Sequence, residues 1–279
     1  MSESEAAAPG QGSRNLVVRA TAALVLAPLA IAIAYAGGWL WAVLVILAAA
    51  GLYLEWAMVV GVARERRVLV AGIVALVAAG IALAAGWPGA ALLAVVVGLA
   101  AVAAIGGERR VWIAAGFCYA AAAEMASVLV RRDPVEGFAA LLFVLLVVWA
   151  ADIGGYFAGR GIGGPKLWPR ISPKKTWAGA IGGFVASLMV AAGFAAFDLG
   201  KAAALLPLGA GLSIVSQLGD LLESAVKRRF GVKDSSHLIP GHGGLMDRLD
   251  GFVAAIVVAA IFGFLRGGAD GVGRGLMVW

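Results

Sequence analysis

A single cysteine, Cys118, set in an apolar run, rules out any intrachain disulfide. Histidine is almost as rare: His237 and His242 stand five residues apart with no cysteine nearby, which is a poor zinc set. Charge is scarce too. Asp, Glu, Lys and Arg make up 14% of the 279 residues against 62% hydrophobic residues, so the chain cannot hide its apolar surface in one soluble core and belongs in a bilayer. Absent as well are the alternating ten-residue segments of a membrane barrel. The Ala, Leu, Val and Gly content suits packed helices, which satisfy every backbone amide internally.

Because ~20 apolar residues cross the hydrocarbon layer, runs of that length between charged or Gly/Pro breaks predict about nine transmembrane helices. They cover residues 16–36, 39–60, 68–87, 89–107, 111–130, 137–158, 177–198, 202–222 and 251–266. The fold class is all-α, a polytopic integral membrane protein. Gly72, Gly80, Gly98, Gly182 and Gly183 would let neighbouring helices approach closely. Residues 1–15, small and polar, read as a disordered cytoplasmic tail. Ala34-Tyr35-Ala36 has the form of a signal-peptidase site, but the run before it is long for a signal sequence, so an uncleaved first helix is expected.

Nine crossings place Arg131, Arg132, Lys201, Arg266 and Arg274 on one side and every other Lys and Arg on the opposite side with the N-terminus. The basic side is then the cytoplasmic one. The net charge of +6 is mostly this topology signal, and nucleic-acid binding is not expected from it.

Two kinds of sequence follow one another: N-terminal transmembrane helices over 16–136, and a C-terminal region, 137–279, carrying the loops 159–176 and 223–250. In the first, Glu55 and Glu124 are the acids inside the apolar runs. A buried ionised acid costs about 2.5–3.5 kcal/mol on the lenient scale. Glu55 lies near a helix end beside Arg64 and Arg66 and is expected to reach the interface; Glu124 lies deeper, and a functional role and a packing network are both open to it. Neither is assigned to catalysis.

In the second region Ser213, Ser216, Gln217, Asp220, Ser224 and Lys227 recur at three- and four-residue steps, a polar stripe on one face of the eighth helix. Such a stripe faces other helices or water. Loop 223–250 adds cations suited to a triphosphate, Lys227, Arg228, Arg229 and Lys233, and glycines whose amides can approach phosphate oxygens, Gly241, Gly243 and Gly244. Asp247 and Asp250 share a face if helical and suit Mg²⁺. In loop 159–176, Gly159 to Gly164 formally fits GxGxxG, yet it follows a membrane helix and no acid stands between Asp152 and Asp198 to hold a ribose. Lys166, Arg170, Lys174 and Lys175 there put positive charge beside the bilayer, and Ser172 is the candidate N-cap of the seventh helix.

The combined pattern resembles the signature of the phosphatidate cytidylyltransferase family. The match runs through Ser224, Lys227-Arg228, Lys233-Asp234, Ser236, Ile239-Pro240, His242-Gly243-Gly244, Asp247-Arg248 and Asp250 without insertion. It extends back through the stretches Asp152 to Arg160 and Ile171 to Trp177, so it covers the C-terminal half. One departure is Ala178, where the family usually has an acid.

The resemblance implies attack by the phosphate of phosphatidic acid on the α-phosphorus of CTP, giving CDP-diacylglycerol and pyrophosphate at the cytoplasmic face of the inner membrane. It implies Mg²⁺ on Asp220 and Asp247, with Asp250 and Asp152 as further candidates and room for a second cation. Lys227, Arg228, Lys233 and Arg248 would bind triphosphate or the lipid phosphate. Ser224 and His242 would orient substrate; Asp234, Gly243, Gly244, Lys174, Lys175 and Thr176 complete the substrate-binding set, and the resemblance is compatible with a homodimer. CTP-dependent lipid-alcohol kinases and archaeal-type lipid cytidylyltransferases share parts of this pattern. A transporter, the alternative from another class, would need ionisable residues crossing the bilayer, and here they gather at one face.

Overall fold

Apolar runs closed by glycine, proline or charge become helices. The computed structural model describes residues 27–236 and 243–279. Its helices are α1 (Ala27–Ala36), α2 (Gly38–Val59), α3 (Arg66–Ala84), α4 (Pro88–Ile105), α5 (Arg110–Arg132), α6 (Gly137–Gly161), α7 (Trp177–Ala196), α8 (Ala202–Arg229), α9 (Met246–Gly267) and the short α10 (Val272–Met277). Among the described residues, eight helices, α2 to α9, are long and apolar enough to cross a membrane. That agrees with the all-α polytopic expectation. The upstream part of the first expected span, and the tail, lie outside the described residues, and α1 is its downstream end.

Two boundaries differ usefully from the sequence outline. The segment 223–229 continues α8, and 246–250 opens α9, so the loop between them is confined to 230–245. Val226, Lys227 and Met246 are buried there, and that packing keeps both helix ends wound. Between α6 and α7 the chain forms a two-stranded antiparallel hairpin, β1 (Lys166–Trp168) and β2 (Ser172–Thr176), pairing Lys166 with Thr176 and Trp168 with Ser172. Because the chain stays extended to Thr176, α7 cannot start at Ser172. Its cap is Thr176, whose Oγ1 accepts the Gly179 N–H at 3.1 Å. The glycine run 159–164 ends a helix and precedes this hairpin, which removes the nucleotide-fold reading.

Close helix approach follows the small residues. A Cβ on Gly154 of α6 would stand 2.6 Å from Ala186 Cβ of α7 and 2.8 Å from Gly182 O; one on Gly183 would meet Ala151 O at 2.5 Å. The α6 and α7 backbones therefore touch, and nothing but glycine fits between them. In the N-terminal half Gly72 receives the Tyr53 ring, Gly80 faces Ile46 and Glu124, and Gly98 faces Ala75 and Phe117.

Two apolar clusters form the core. One gathers Phe143, Val144 and Val147 of α6 with Leu212 of α8, Ile256 of α9 and Leu276 of α10; the other gathers Tyr53, Leu76, Ile113 and Phe117 of α2, α3 and α5 with Met246 and Val253 of α9. Helix α9 belongs to both, so it joins the two halves of the chain.

At the end of the bundle opposite the hairpin, Asp133 between α5 and α6 accepts Val135 N and Glu136 N on one oxygen, at 3.0 and 3.1 Å, and Arg274 N and Nε on the other, both at 3.0 Å. Burial by itself would raise this carboxyl, but those donors hold it below the usual carboxylate range. They fasten α10 to the α5–α6 turn. Glu124 is fully buried, with no hydrogen-bond partner for either oxygen among the described residues.

Candidate active site

The polar face of α8 looks inward. Ser213 and Ser216 are buried, Gln217 Nε2 donates to Ala180 O of α7 at 3.3 Å, and a Cβ on Gly251 of α9 would meet Ser216 Oγ at 2.6 Å. This upper stretch is an interhelical seam. Toward the end of α8 the stripe changes character. Asp220 forms an ion pair with Lys175 of β2 and accepts the Ser224 hydroxyl at 3.4 Å. One turn further, Lys227 Nζ lies 2.8 Å from Glu223 Oε1 and 2.5 Å from Asp247 Oδ1.

Asp247, in the first turn of α9, is held from several directions. Its Oδ2 accepts Gly244 N at 3.0 Å and Ser235 N at 3.1 Å, and Ser235 Oγ stands 3.1 Å away. Gly243 takes φ +82, which glycine adopts freely, and a Cβ on Gly244 would collide with the Ser235 hydroxyl. The Gly244 amide, expected to approach a phosphate, is thus engaged by Asp247. Asp250 follows three residues on, its Oδ1 accepting Gly251 N at 2.7 Å.

Asp152 of α6, Asp220 and Asp250 are near enough to feel one another's charge, and Lys175 and Arg248 act on Asp152. Four elements thereby converge: α6 brings Asp152, β2 brings Lys175, α8 brings Asp220, Ser224 and Lys227, and α9 brings Asp247, Arg248 and Asp250. Other predicted residues lie around this centre. Arg228 is exposed and donates to Val232 O at 3.0 Å; Lys233, Asp234 and Lys174 are exposed; Thr176 is buried, its hydroxyl oxygen capping α7. His242 falls outside the described residues.

Three residues of the site have no place in it by sequence. Glu223 is a buried partner of Lys227, legible as an i,i+4 pair once α8 is extended. Ser235 sits inside the signature between Asp234 and Ser236, at a position that the resemblance does not mark. Glu55 carries the largest correction: it is not turned out to solvent but is fully buried, accepting Ser235 Oγ at 2.9 Å, Ser236 Oγ at 2.7 Å, and Leu245 N and Met246 N at 2.7 Å each. No local signal links residue 55 to residues 235–246.

Mg²⁺ requires one or two carboxylates, with phosphates and water completing its shell. Asp220 and Asp247 suit such a cation, because each already holds a lysine ammonium in a partly open setting. Among the described residues no three Asp, Glu, His or Cys side chains form an all-protein cage.

A family model described as the cytidylyltransferase family matches residues 17–265. Among known proteins, phosphatidate cytidylyltransferase of Brucella suis biovar 1 is 50% identical over 157 residues, 55% of this chain and 57% of that protein. The Haemophilus influenzae phosphatidate cytidylyltransferase is 45% identical over 139 residues, 48% of each chain. That of Staphylococcus saprophyticus is 50% identical over 120 residues, 42% of this chain and 46% of the relative. The chain spans about half the length of the curated relatives it matches. With four elements bringing the signature residues to one end of the bundle and a family model covering most of the sequence, the chain belongs to the cytidylyltransferase family.

Proposed function

We propose that this protein is a phosphatidate cytidylyltransferase, joining CTP to phosphatidic acid with Mg²⁺ at the cytoplasmic face of the inner membrane. The observation that carries the reading is the meeting of Asp152, Asp220, Asp247 and Asp250 with Lys175, Lys227 and Arg248 at one end of membrane-crossing helices. A soluble nucleotide and a lipid can meet only at such an end.

In the reaction an oxygen of the lipid phosphate forms a bond to the α-phosphorus of CTP. The bond from that phosphorus to the bridging oxygen breaks, and pyrophosphate leaves with the electron pair. The nucleophile is already anionic, so no general base is required, and catalysis rests on charge neutralisation and in-line placement. Lys175, Lys227 and Arg248 would neutralise phosphate charge; Ser224, donating to Asp220, would orient that carboxylate. Asp220 and Asp247 would hold Mg²⁺, which when bound supplies charge stabilisation at phosphate oxygens.

Purified full-length protein with phosphatidic acid in mixed micelles is expected to move label from the α-phosphate of CTP into lipid and to release pyrophosphate. Transfer of γ-label with formation of CDP would overturn the reading in favour of a lipid-alcohol kinase.

The uneven distribution of Lys and Arg supports the orientation. The hairpin and the 230–245 loop would face the cytoplasm, and Lys201, Asp133 and α10 the other side. With cysteines introduced as Ser172→Cys and Lys201→Cys, a membrane-impermeant thiol reagent applied to intact cells should label position 201 and spare 172. The reverse pattern would invert the topology.

A further inference from the structure

Helix α9 starts at Met246 without a capping side chain of its own, since Leu245 occupies the cap position. Its first amides would be orphaned inside the bundle, a cost no buried helix start can leave unmet. The partner comes from the half of the chain that carries no signature residue. Glu55 of α2, 0% exposed, takes Leu245 N and Ser236 Oγ on Oε1 and Met246 N and Ser235 Oγ on Oε2, all between 2.7 and 2.9 Å. Four donors fill both oxygens, and the helix N-terminus favours the negative charge.

These bonds tie two stretches, Ser235-Ser236 and Leu245-Met246, to a residue 180 to 191 positions upstream. Asp247 is the next residue after the second, and it accepts Ser235 N from the first. Ser235 Oγ lies between the two acids, 2.9 Å from Glu55 Oε2 and 3.1 Å from Asp247 Oδ2, and its one hydrogen serves one carboxylate at a time. Gly244 leaves no slack, because a Cβ there would stand 2.5 Å from Glu55 Oε2.

We infer that Glu55 is a positioning residue for the reaction, a carboxylate in α2 that sets where Asp247 stands. The inference rests on the cytidylyltransferase reading and goes beyond it, to a residue outside the signature. A gln side chain keeps the volume of Glu55 but turns an amide NH₂ toward two of the four donors, so Ser235 or the α9 start must shift and carry Asp247 along. A displacement of about 1 Å at a reacting centre costs up to 10²-fold in rate.

The test uses the full chain in lipid nanodiscs, with Mn²⁺ as the probe ion read by electron paramagnetic resonance, beside steady-state kinetics and thermal unfolding. Folded Glu55→Gln is expected to need about tenfold more Mn²⁺ for half-saturation and to lose kcat at least tenfold while KM for CTP changes little. Ser236→Ala, which removes one donor and keeps the carboxylate, should shift Mn²⁺ half-saturation in the same direction by a smaller factor. It decides the matter if Glu55→Gln does not fold. If either folded variant binds Mn²⁺ and turns over like the parent, with only its unfolding temperature lowered, Glu55 is a helix cap and nothing more, and the inference is overturned. A parent protein that binds Mn²⁺ but makes no CDP-lipid would instead overturn the functional reading, while the shift between parent and Glu55→Gln would still report the positioning of Asp247.

Discussion

Asp247→Asn protein is expected to stay folded and to lose about a thousandfold in kcat/KM, equal to roughly 4 kcal/mol of transition-state stabilisation. Asparagine retains an oxygen for Gly244 N and Ser235 N, so the start of α9 keeps its hydrogen bonds. What disappears is the negative charge facing Lys227 and open to a hard cation. Asp220→Asn should behave alike, losing its ion pair with Lys175. If both carboxylates act through one ion, the double substitution costs much less than the sum of the singles. Steady-state kinetics at limiting Mg²⁺, beside thermal unfolding of each variant, checks this. Near-normal turnover by folded single variants, or losses of activity that track losses of stability, would remove both residues from the reaction.

Lys227→Met should be damaging in a different way, because it removes an ammonium that lies between Glu223 and Asp247. Leaving a buried carboxylate without its counter-ion costs about 3–5 kcal/mol. The single variant should therefore unfold at clearly lower temperature and be inactive. Adding Glu223→Gln removes the stranded buried charge, so Lys227→Met with Glu223→Gln should recover most of the stability. Activity should not return with it, since the cation facing Asp247 and substrate phosphate is still missing. Recovery of both together would show that Lys227 serves only the fold.

Much of this architecture is legible along the chain because the bilayer makes a one-dimensional demand. Apolar runs, breaks and basic loops mark helices α2 to α9 to within a few residues over most of their length, since each span must satisfy its own backbone. The exceptions lie where tertiary contact overrides local composition. Residues 223–229 look like loop because they are charged, yet Glu223 and Lys227 pair along one helix face and bury. Ser172 looks like a helix cap, but strand pairing with Trp168 carries the chain past it to Thr176.

The site divides the same way. Ser224, Lys227, Asp247 and Asp250 are identifiable from sequence because they fall within one signature of fixed spacing, and Asp220 because helical periodicity puts it on one face with Ser224 and Lys227. The sequence by itself therefore determines the membrane class, the helix order, the basic side and the family. Which charges meet was decided only when the helices packed. That Lys175 takes Asp220, that Lys227 stands between two acids, and that Glu55 in α2 holds Ser235, Ser236, Leu245 and Met246 depend on approaches between segments up to 191 residues apart. Hydrophobic burial, which brings α2 against α9, is blind to side-chain identity at a distance. The polar partners inside that contact are consequently set by geometry alone, with a buried carboxylate taking whichever donors the packed backbone presents.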